Sequence, residues 1–253
     1  NKKSSEKCRE FLSTIININQ YPMSELSSTT SSELSKILEN SYRATNIAFI
    51  HEWGIFAEKI GVDLFEIINA IKIRPTHSNI NRPGLGVGGY CLTKDPLMGY
   101  VSSRQIFNNE FLEFPLTEQS VNINKEMPYH TFDIAIESLK ARDSLKSVLI
   151  LGLSYRDQVG DTRYSASIVL ANMFIKNSIK VDSHDPMVKE KQPSELGFLK
   201  ELPLPNKYGA IIFTVGHKYY KDLDLLKWLK FYDGIVIDSN NVLNKNNIDN
   251  LKK

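Results

Sequence analysis

A short apolar run late in the chain constrains the fold most. Ser147-Val-Leu-Ile-Leu-Gly-Leu153 holds four consecutive aliphatic residues followed by a glycine. A run of this length that ends in a turn residue is typical of a strand buried on both faces of a parallel sheet. Further strands are predicted over 179–186, 210–215 and 234–238, and an amphipathic helix over 165–176. Strands that alternate with helices predict a doubly wound parallel-sheet α/β domain over residues 143–253.

The preceding part of the chain has helical spacing. From Glu33 to about Ile60 the apolar residues recur at helical intervals, which predicts one long helix with Ser32 as its N-cap. That helix is apolar on all sides, so we expect it to be buried between other elements or between subunits. Other helices are predicted over 4–18, 64–73, 93–104 and 111–140, the last with Pro128 at its start or at a kink. Residues 29–142 are therefore expected to form an all-α domain.

Composition excludes several classes of protein. The 253 residues carry a net charge of +2, which argues against a nucleic-acid partner, and no apolar run is long enough to span a membrane. With Cys8 and Cys91 as the only cysteines, we expect no disulfide framework and a cytoplasmic setting. The five histidines show no metal-ligand spacing, so no metal site is expected. Because the chain starts at Asn1 without an initiator Met, we expect a fragment.

The segment Gly84-Leu-Gly-Val-Gly-Gly-Tyr-Cys-Leu-Thr-Lys-Asp-Pro96 carries the strongest chemical pattern. Its glycines allow a backbone to approach a ligand closely. If a helix starts near Cys91, then Cys91 and Asp95 share one face, and a helix N-terminus favours the thiolate form of cysteine. The pattern indicates a cysteine nucleophile with a carboxylate in reach. The alternative is a small buried cysteine beside a turn.

Two further pairs of polar residues each allow a functional and a structural interpretation. The turn after the first strand, Gly152 to Arg163, lacks Gly-x-Gly-x-x-Gly but holds Arg156 and Arg163, which suit phosphate. These arginines could instead pair with Asp157 or Asp161. On the long helix, Lys36 and Asn40 are four residues apart on one face. They could stabilise an oxyanion and orient a water molecule, or form a solvated polar stripe.

Taken in order, these segments resemble the UDP-glucose/GDP-mannose dehydrogenase family, whose members are nucleotide-sugar 6-dehydrogenases. The similarity rests on Glu33-Leu-Ser-Lys-Ile-Leu-Glu-Asn-Ser-Tyr-Arg-Ala-Thr-Asn46, on Pro83–Pro96 and on Leu149–Arg163. His184-Asp-Pro186 and Gly216-His-Lys-Tyr219 add to it. The resemblance covers nearly the whole chain.

The resemblance implies a central helical dimerisation domain and a C-terminal nucleotide-sugar-binding domain. Residues 1–28 resemble only the tail of the family's NAD-binding domain. No strand is followed here by the glycine loop and acidic residue that would hold NAD in the family's manner. The resemblance therefore implies that the cofactor NAD binds mainly outside this chain, and that the chain alone is inactive. It also implies a homodimer through the long helix.

The resemblance assigns roles to individual residues. Cys91 would trap the sugar aldehyde, Lys36 would stabilise an alkoxide-like oxygen, Asn40 would bind substrate or water, and Asp95 would assist proton transfer. The sugar and its nucleotide would be bound by the following residues: Gly84, Gly86, Gly88, Gly89, Tyr90 and Arg156, with Arg74 or Arg82 reaching across the dimer. Lys94 and Arg163 would contact NAD.

Two features concern the substrate. Asn240 or Asn241 stands where the family often has an arginine, so the resemblance implies a different arrangement around phosphate or ribose. Gly216-His-Lys-Tyr219 resembles members that act on UDP-N-acetylhexosamines more than members that act on UDP-glucose.

Two alternative functions remain open. One is a non-enzymatic nucleotide-sugar-binding or dimerisation module. The other is a cysteine hydrolase, for which the sequence indicates no histidine partner of Cys91.

Overall fold

The structure, a computed structural model, describes residues 2–106, 112–142, 147–189 and 192–244. The chain divides into two compact units, Asn1–Leu38 and Glu39–Lys253. The domain boundaries expected from the sequence, at 28 and 142, stay predictions. No helix in the described ranges combines the length and the apolar character needed to cross a membrane.

The first unit holds helix α1, Lys2–Ser13, and the start of helix α2, Thr29–Lys59. Helix α1 ends at Ser13, well before residue 18, and just beyond it the Thr14 hydroxyl donates to the carbonyl of Phe11. The prediction of Ser32 as an N-cap is wrong. Helix α2 begins earlier, where the backbone N–H of Ser31 donates to Ser28 Oγ at 3.0 Å.

The second unit begins with the rest of α2 and continues through helices α3, Leu64–Ile71, α4, Cys91–Lys94, α5, Met98–Ile106, and α6, Pro115–Ala141. The helix predicted over 93–104 is broken. Because Pro96 disfavours helical continuation, a 3₁₀ turn over Asp95–Leu97 separates α4 from α5.

Helix α6 packs against α2 through polar contacts. Asn124 Nδ2 donates to the carbonyl of Ala44 at 2.9 Å, and Ser120 Oγ donates to Thr45 Oγ1 at 3.2 Å. Pro115 occupies the first turn of α6, where its missing N–H is tolerated, while Pro128 lies inside the helix rather than at its start. Residue 111, where this helix was predicted to begin, lies outside the described residues.

A five-stranded parallel sheet forms the rest of the second unit. Its strands are β1, Ser147–Leu151, β2, Lys180–His184, β3, Phe198–Leu199, β4, Ala210–Phe213, and β5, Ile235–Asp238, in the order β3-β2-β1-β4-β5. Helices α7, Ala166–Lys176, α8, Lys218–Lys221, and α9, Leu225–Trp228, connect them. The predicted doubly wound domain is confirmed. Strand β3 was not predicted, because two residues are too few to show a period.

The core lies on both faces of this sheet. Val148 and Ile150 of β1 pack with Leu170 and Phe174 of α7, and the alternate residues Leu149 and Leu151 pack on the opposite face. That opposite cluster includes the buried Tyr220, Leu225 and Leu229. Burial of β1 on both faces explains why its sequence is uniformly apolar.

Candidate active site

The glycine segment lies against the carboxyl edge of the sheet. Leu85 is buried in the same core cluster as Val148 and Ile150, and its backbone N–H donates to Asn240 Oδ1, just beyond β5, at 3.3 Å. The N–H of Gly89 donates to the carbonyl of Arg163, in the loop between β1 and α7, at 3.3 Å. Ligands of doubly wound domains bind at this edge, where the strand order reverses between β1 and β4.

The four glycines are required by this packing. A Cβ on Gly84 would lie 2.5 Å from Asn240 Oδ1, one on Gly86 2.7 Å from Ala166 Cβ, and one on Gly88 2.7 Å from the carbonyl oxygen of Tyr164. Gly89 also has a positive φ of +77°, which side chains rarely adopt. The space beside these glycines is therefore occupied by protein atoms, and their predicted lining of a sugar pocket stays a prediction.

Gly84, Gly86 and Gly89 have the spacing Gly-x-Gly-x-x-Gly, but the context is not that of a dinucleotide-binding loop. Such a loop follows a strand and opens a helix within a βαβ unit. Here the segment follows an irregular stretch, and the four-residue helix α4 comes after it. The spacing reflects close packing between the loop and the α/β domain.

We expect Gly88→Ala to destabilise the protein by about 1–3 kcal/mol, because its methyl group would overlap Tyr164 and Tyr155. Gly54→Ala is the matched control. Gly54 lies inside α2, where a Cβ meets only ordinary contacts, so alanine should stabilise the protein by about 0.5–1 kcal/mol through helix propensity. Chemical denaturation of both variants measures the difference, and equal effects would contradict the packing argument.

Cys91 is the first residue of α4, and its side chain is exposed. Asp95 follows one turn later, where its N–H donates to the Cys91 carbonyl. Asn40, which is buried on α2, donates from Nδ2 to Asp95 Oδ2 at 2.7 Å. The structure thus brings together three of the predicted catalytic residues, from two segments that lie far apart in sequence.

Lys94, Arg163 and Tyr90 lie around the start of α4. Lys94 Nζ donates to Asp95 Oδ1 at 2.5 Å, and this bond raises the pKa of Lys94. Arg163 pairs with both oxygens of Asp161 and lies 4.8 Å from the centre of the Tyr90 ring. The hydrogen bonds from Arg163 lower the pKa of Asp161 to about 2. For Arg163, the structure therefore shows the salt-bridge alternative.

Arg156 differs from Arg163. Its exposed guanidinium lies 5.9 Å from the centre of the Tyr155 ring, and it forms no ion pair with any described residue. It occupies the loop after β1, at the edge where the glycine segment packs. Its position keeps the phosphate interpretation open, since a cation without a protein counter-ion suits a phosphate.

Three other predicted site residues are Arg74, Arg82 and Lys36. Arg82 donates to Asn69 Oδ1 at 3.1 Å, and Arg74 is exposed in the segment after α3. Lys36 is an exposed residue of α2 in the first unit. The predicted roles of Arg74, Arg82 and Lys36 stay predictions. No group of three metal-ligating side chains is found among the described residues.

Sequence reasoning missed the polar residues that join the strand ends. Asp185, directly after β2, accepts backbone hydrogen bonds from four residues, and His217, beyond β4, contacts it through Nε2 at 3.2 Å. Burial alone would raise the pKa of Asp185, but hydrogen bonds from His217, Ser154 and Leu153 lower it to about 2. Strand β2, Lys-Val-Asp-Ser-His, is mostly polar, and His217 lies four residues beyond β4, so no local pattern marked either residue as a buried link.

Asn240 is the third residue whose contacts emerged only from the structure. Its Oδ1 accepts from the N–H of Leu85, and its Nδ2 donates to the carbonyl of Thr214 at 2.5 Å. It therefore joins the glycine segment to the loop after β4. Asn240, one of the two asparagines predicted to stand in place of an arginine, thus links the helical and α/β parts of this chain.

Sequence profiles of two domains match the chain. Residues 30–126 match the central domain of the UDP-glucose/GDP-mannose dehydrogenase family, and residues 149–245 match the UDP binding domain of the same family. A UDP-N-acetyl-D-mannosamine dehydrogenase of Methanococcus vannielii is 29% identical over 255 residues, covering 97% of this chain and 55% of that protein. A UDP-glucose 6-dehydrogenase of Rickettsia bellii is 29% identical over 230 residues, covering 87% of this chain and 51% of that protein.

A solved structure agrees with these matches. The UDP-D-ManNAc dehydrogenase of Pyrococcus horikoshii superimposes with a TM-score of 0.67 and 28% identity, over 86% of this chain and 50% of that one. The fold is that of nucleotide-sugar dehydrogenases, a helical region followed by a parallel-sheet domain. The chain belongs to the UDP-glucose/GDP-mannose dehydrogenase family and contains its central and UDP-binding domains. It spans about half the length of the relatives it matches.

Proposed function

We propose that the protein containing this chain is a nucleotide-sugar 6-dehydrogenase, which oxidises the C6 alcohol of a UDP-sugar to a carboxylic acid with NAD. The observation that carries the proposal is the position of Cys91. Cys91 is exposed at the start of α4, one turn before Asp95, which accepts the hydrogen bond of Asn40, and its segment packs against the carboxyl edge of the domain that matches the family's UDP-binding domain. Nucleotide sugars bound at that edge would place the sugar towards Cys91.

UDP-N-acetyl-D-mannosamine is the proposed substrate, with UDP-glucose as the competing one. Relatives that act on either sugar by name have similar identity to this chain. The pair His217-Lys218 supports the N-acetylhexosamine, by its resemblance to members that act on such sugars. Since His217 is fully buried, it would act on sugar choice only through other residues.

Cys91 is proposed to retain the reactive intermediate. Its sulfur adds to the C6 aldehyde to give a thiohemiacetal, the loss of a hydride from C6 gives a thioester, and water releases the acid and the free thiol. Asp95 takes the proton of the attacking water, and Asn40 holds the Asp95 carboxylate in place through Nδ2.

NAD supplies the hydride acceptor for both oxidations when it is bound. Lys94 and Arg163 would contact its pyrophosphate, since their cationic heads stay exposed beside the glycine segment although each is already paired with a carboxylate. Each head is already oriented by a carboxylate, Asp95 or Asp161. These pairs hold the cations in place without burying them.

The test is the stoichiometry of turnover in the protein that contains this chain. Oxidation of an alcohol to an acid releases two hydrides, so two NADH should form per UDP-N-acetyl-D-mannosamine consumed, with the uronic acid as product. UDP-glucose and GDP-mannose serve as comparison substrates. Formation of one NADH with release of an aldehyde, or turnover of none of the three sugars, would refute the proposal.

A homodimer through α2 is part of the proposal. Phe49, Trp53 and Phe56 form an edge-to-face aromatic row on α2 and are each about half exposed in the single chain. A second copy of the same helix would cover this apolar row. We expect Trp53→Glu to convert a dimer into a monomer in sedimentation experiments. Phe231→Glu, at an exposed aromatic residue of the α/β part, is the control that should leave the dimer intact.

A further inference from the structure

One buried imidazole joins three loops at the carboxyl edge of the sheet. His217 has no exposed surface, and it lies beyond β4 next to Asp185, which follows β2, and Ser154, which follows β1. Its Nε2 lies 3.0 Å from Ser154 Oγ and 3.2 Å from Asp185 Oδ2. Its Nδ1 accepts a hydrogen bond from the backbone N–H of Gln158 at 3.1 Å.

These contacts fix the protonation and direction of each bond. Because the Gln158 N–H donates to Nδ1, that nitrogen carries no proton, and the proton of the neutral ring lies on Nε2. Ser154 has a single hydroxyl hydrogen, which it donates to the Arg156 carbonyl at 2.9 Å. Ser154 Oγ therefore accepts from His217 Nε2, whose proton is shared with Asp185 Oδ2, and the hydrogen bonds run from His217 to Ser154 to the Arg156 carbonyl.

The same geometry excludes a hydrolase triad. In a Ser-His-Asp triad, serine and aspartate occupy opposite nitrogens of the imidazole. Here both face Nε2, Nδ1 is taken by a backbone N–H, and Ser154 is buried. The network holds a loop rather than activating a nucleophile.

The loop that it holds is the one that presents Arg156. Residues 154, 156 and 158 are each joined to the imidazole, directly or through the serine hydroxyl, and Gln158 has the strained φ of +57°. The Arg156 guanidinium itself forms no ion pair with a described residue. Since its side chain is exposed, its direction depends on the backbone that carries it.

We propose that His217 is a positioning residue for nucleotide-sugar binding, acting through Ser154 to hold Arg156 towards a diphosphate. The inference rests on the proposed function. It adds which residue holds Arg156 in position to contact the diphosphate of the nucleotide sugar. His217 touches no ligand itself.

The test measures UDP binding to the chain by calorimetry. Arg156→Ala and His217→Gln are each expected to weaken UDP binding about tenfold. Because both act on one contact, the double variant should bind no more weakly than Arg156→Ala alone. Ser154→Ala removes only the hydroxyl between the imidazole and the Arg156 carbonyl. Combined with Arg156→Ala, it should likewise weaken UDP binding no further than Arg156→Ala alone. It is a milder change that replaces His217→Gln in the test if that variant fails to fold.

Tyr220→Phe separates positioning from general stability. Tyr220 is buried beside His217, but its hydroxyl bonds His184 rather than the loop that carries Arg156. This variant should lower the unfolding temperature and leave UDP affinity unchanged. Additive losses of UDP affinity in the double variants would overturn the inference about His217 but not the proposed function. Unchanged UDP affinity in folded Ser154→Ala and His217→Gln would have the same consequence. Absence of UDP binding by the unmodified chain would instead overturn the proposed function.

Discussion

Replacement of Asp185 by alanine is expected to destabilise the protein by about 3–5 kcal/mol. The carboxylate is fully buried and lies between the ends of β1, β2 and β4. Its removal would leave four backbone donors without their acceptor, each at a cost of about 1–3 kcal/mol before relaxation, and would take one of two acceptors from the imidazole. The backbone donors are the N–H groups of Leu153, Ser154, Met187 and Val188.

Chemical denaturation measures this loss, and Asp222→Ala is the matched control. Asp222 bonds the side chain of Lys218 at 2.6 Å, but both side chains are mostly exposed. An exposed pair of this kind contributes under about 1 kcal/mol. If Asp185→Ala were no more destabilising than Asp222→Ala, the role given to Asp185 would be contradicted.

The same carboxylate gives a pH dependence of known sign. The pKa of Asp185 falls from 3.8 to about 2 in the folded protein. The folded state therefore binds this proton less readily than the unfolded state, so the stabilisation is present above pH 3.8 and is lost as the pH falls through 2. Asp185→Asn should reduce the acid dependence of the unfolding free energy in that window.

Replacement of Cys91 by serine is expected to abolish acid formation, lowering its rate by a factor on the order of 10³ or more. The hydroxyl of serine is a far weaker nucleophile than a thiolate, so the aldehyde would not be captured. Product analysis by mass spectrometry on the protein that contains this chain distinguishes acid from aldehyde. Cys8→Ser, at the other exposed cysteine, is the control and should keep full activity. Undiminished acid formation by Cys91→Ser would remove Cys91 from the mechanism.

Much of the fold was predictable because its patterns are local. The uniformly apolar β1 and the alternation of strands with helices predict a doubly wound sheet, and the sheet is found. The predicted boundaries of a helix and a strand were wrong where a single residue interrupted the regular spacing of apolar residues. Pro96 divides the helix predicted over 93–104, and Gly152, with a φ of +108°, ends β1 before residue 153.

The sequence predicted the local spacing within the candidate site but not its long-range contacts. The glycine–cysteine segment indicated a nucleophile with a nearby carboxylate, and Asp95 does follow Cys91 by one turn. The contact of Asn40 with Asp95 joins residues 55 apart, and no local pattern predicts such a pair. Ligand access was the inferred reason for the glycines, whereas their packing against Tyr155, Tyr164 and Asn240 becomes visible only when the chain is folded.

The central claim is that a UDP-sugar bound at the carboxyl edge of the sheet reaches Cys91, and cysteine alkylation tests it most directly. Cys8 and Cys91 are the only cysteines and both are exposed, so one labelling reaction reports on the site and on an internal control. Saturating UDP-N-acetyl-D-mannosamine should slow iodoacetamide labelling of Cys91 at least about tenfold and leave Cys8 unchanged. UDP alone should protect Cys91 less, because it lacks the sugar. Equal labelling of Cys91 with and without the UDP-sugar would contradict the account.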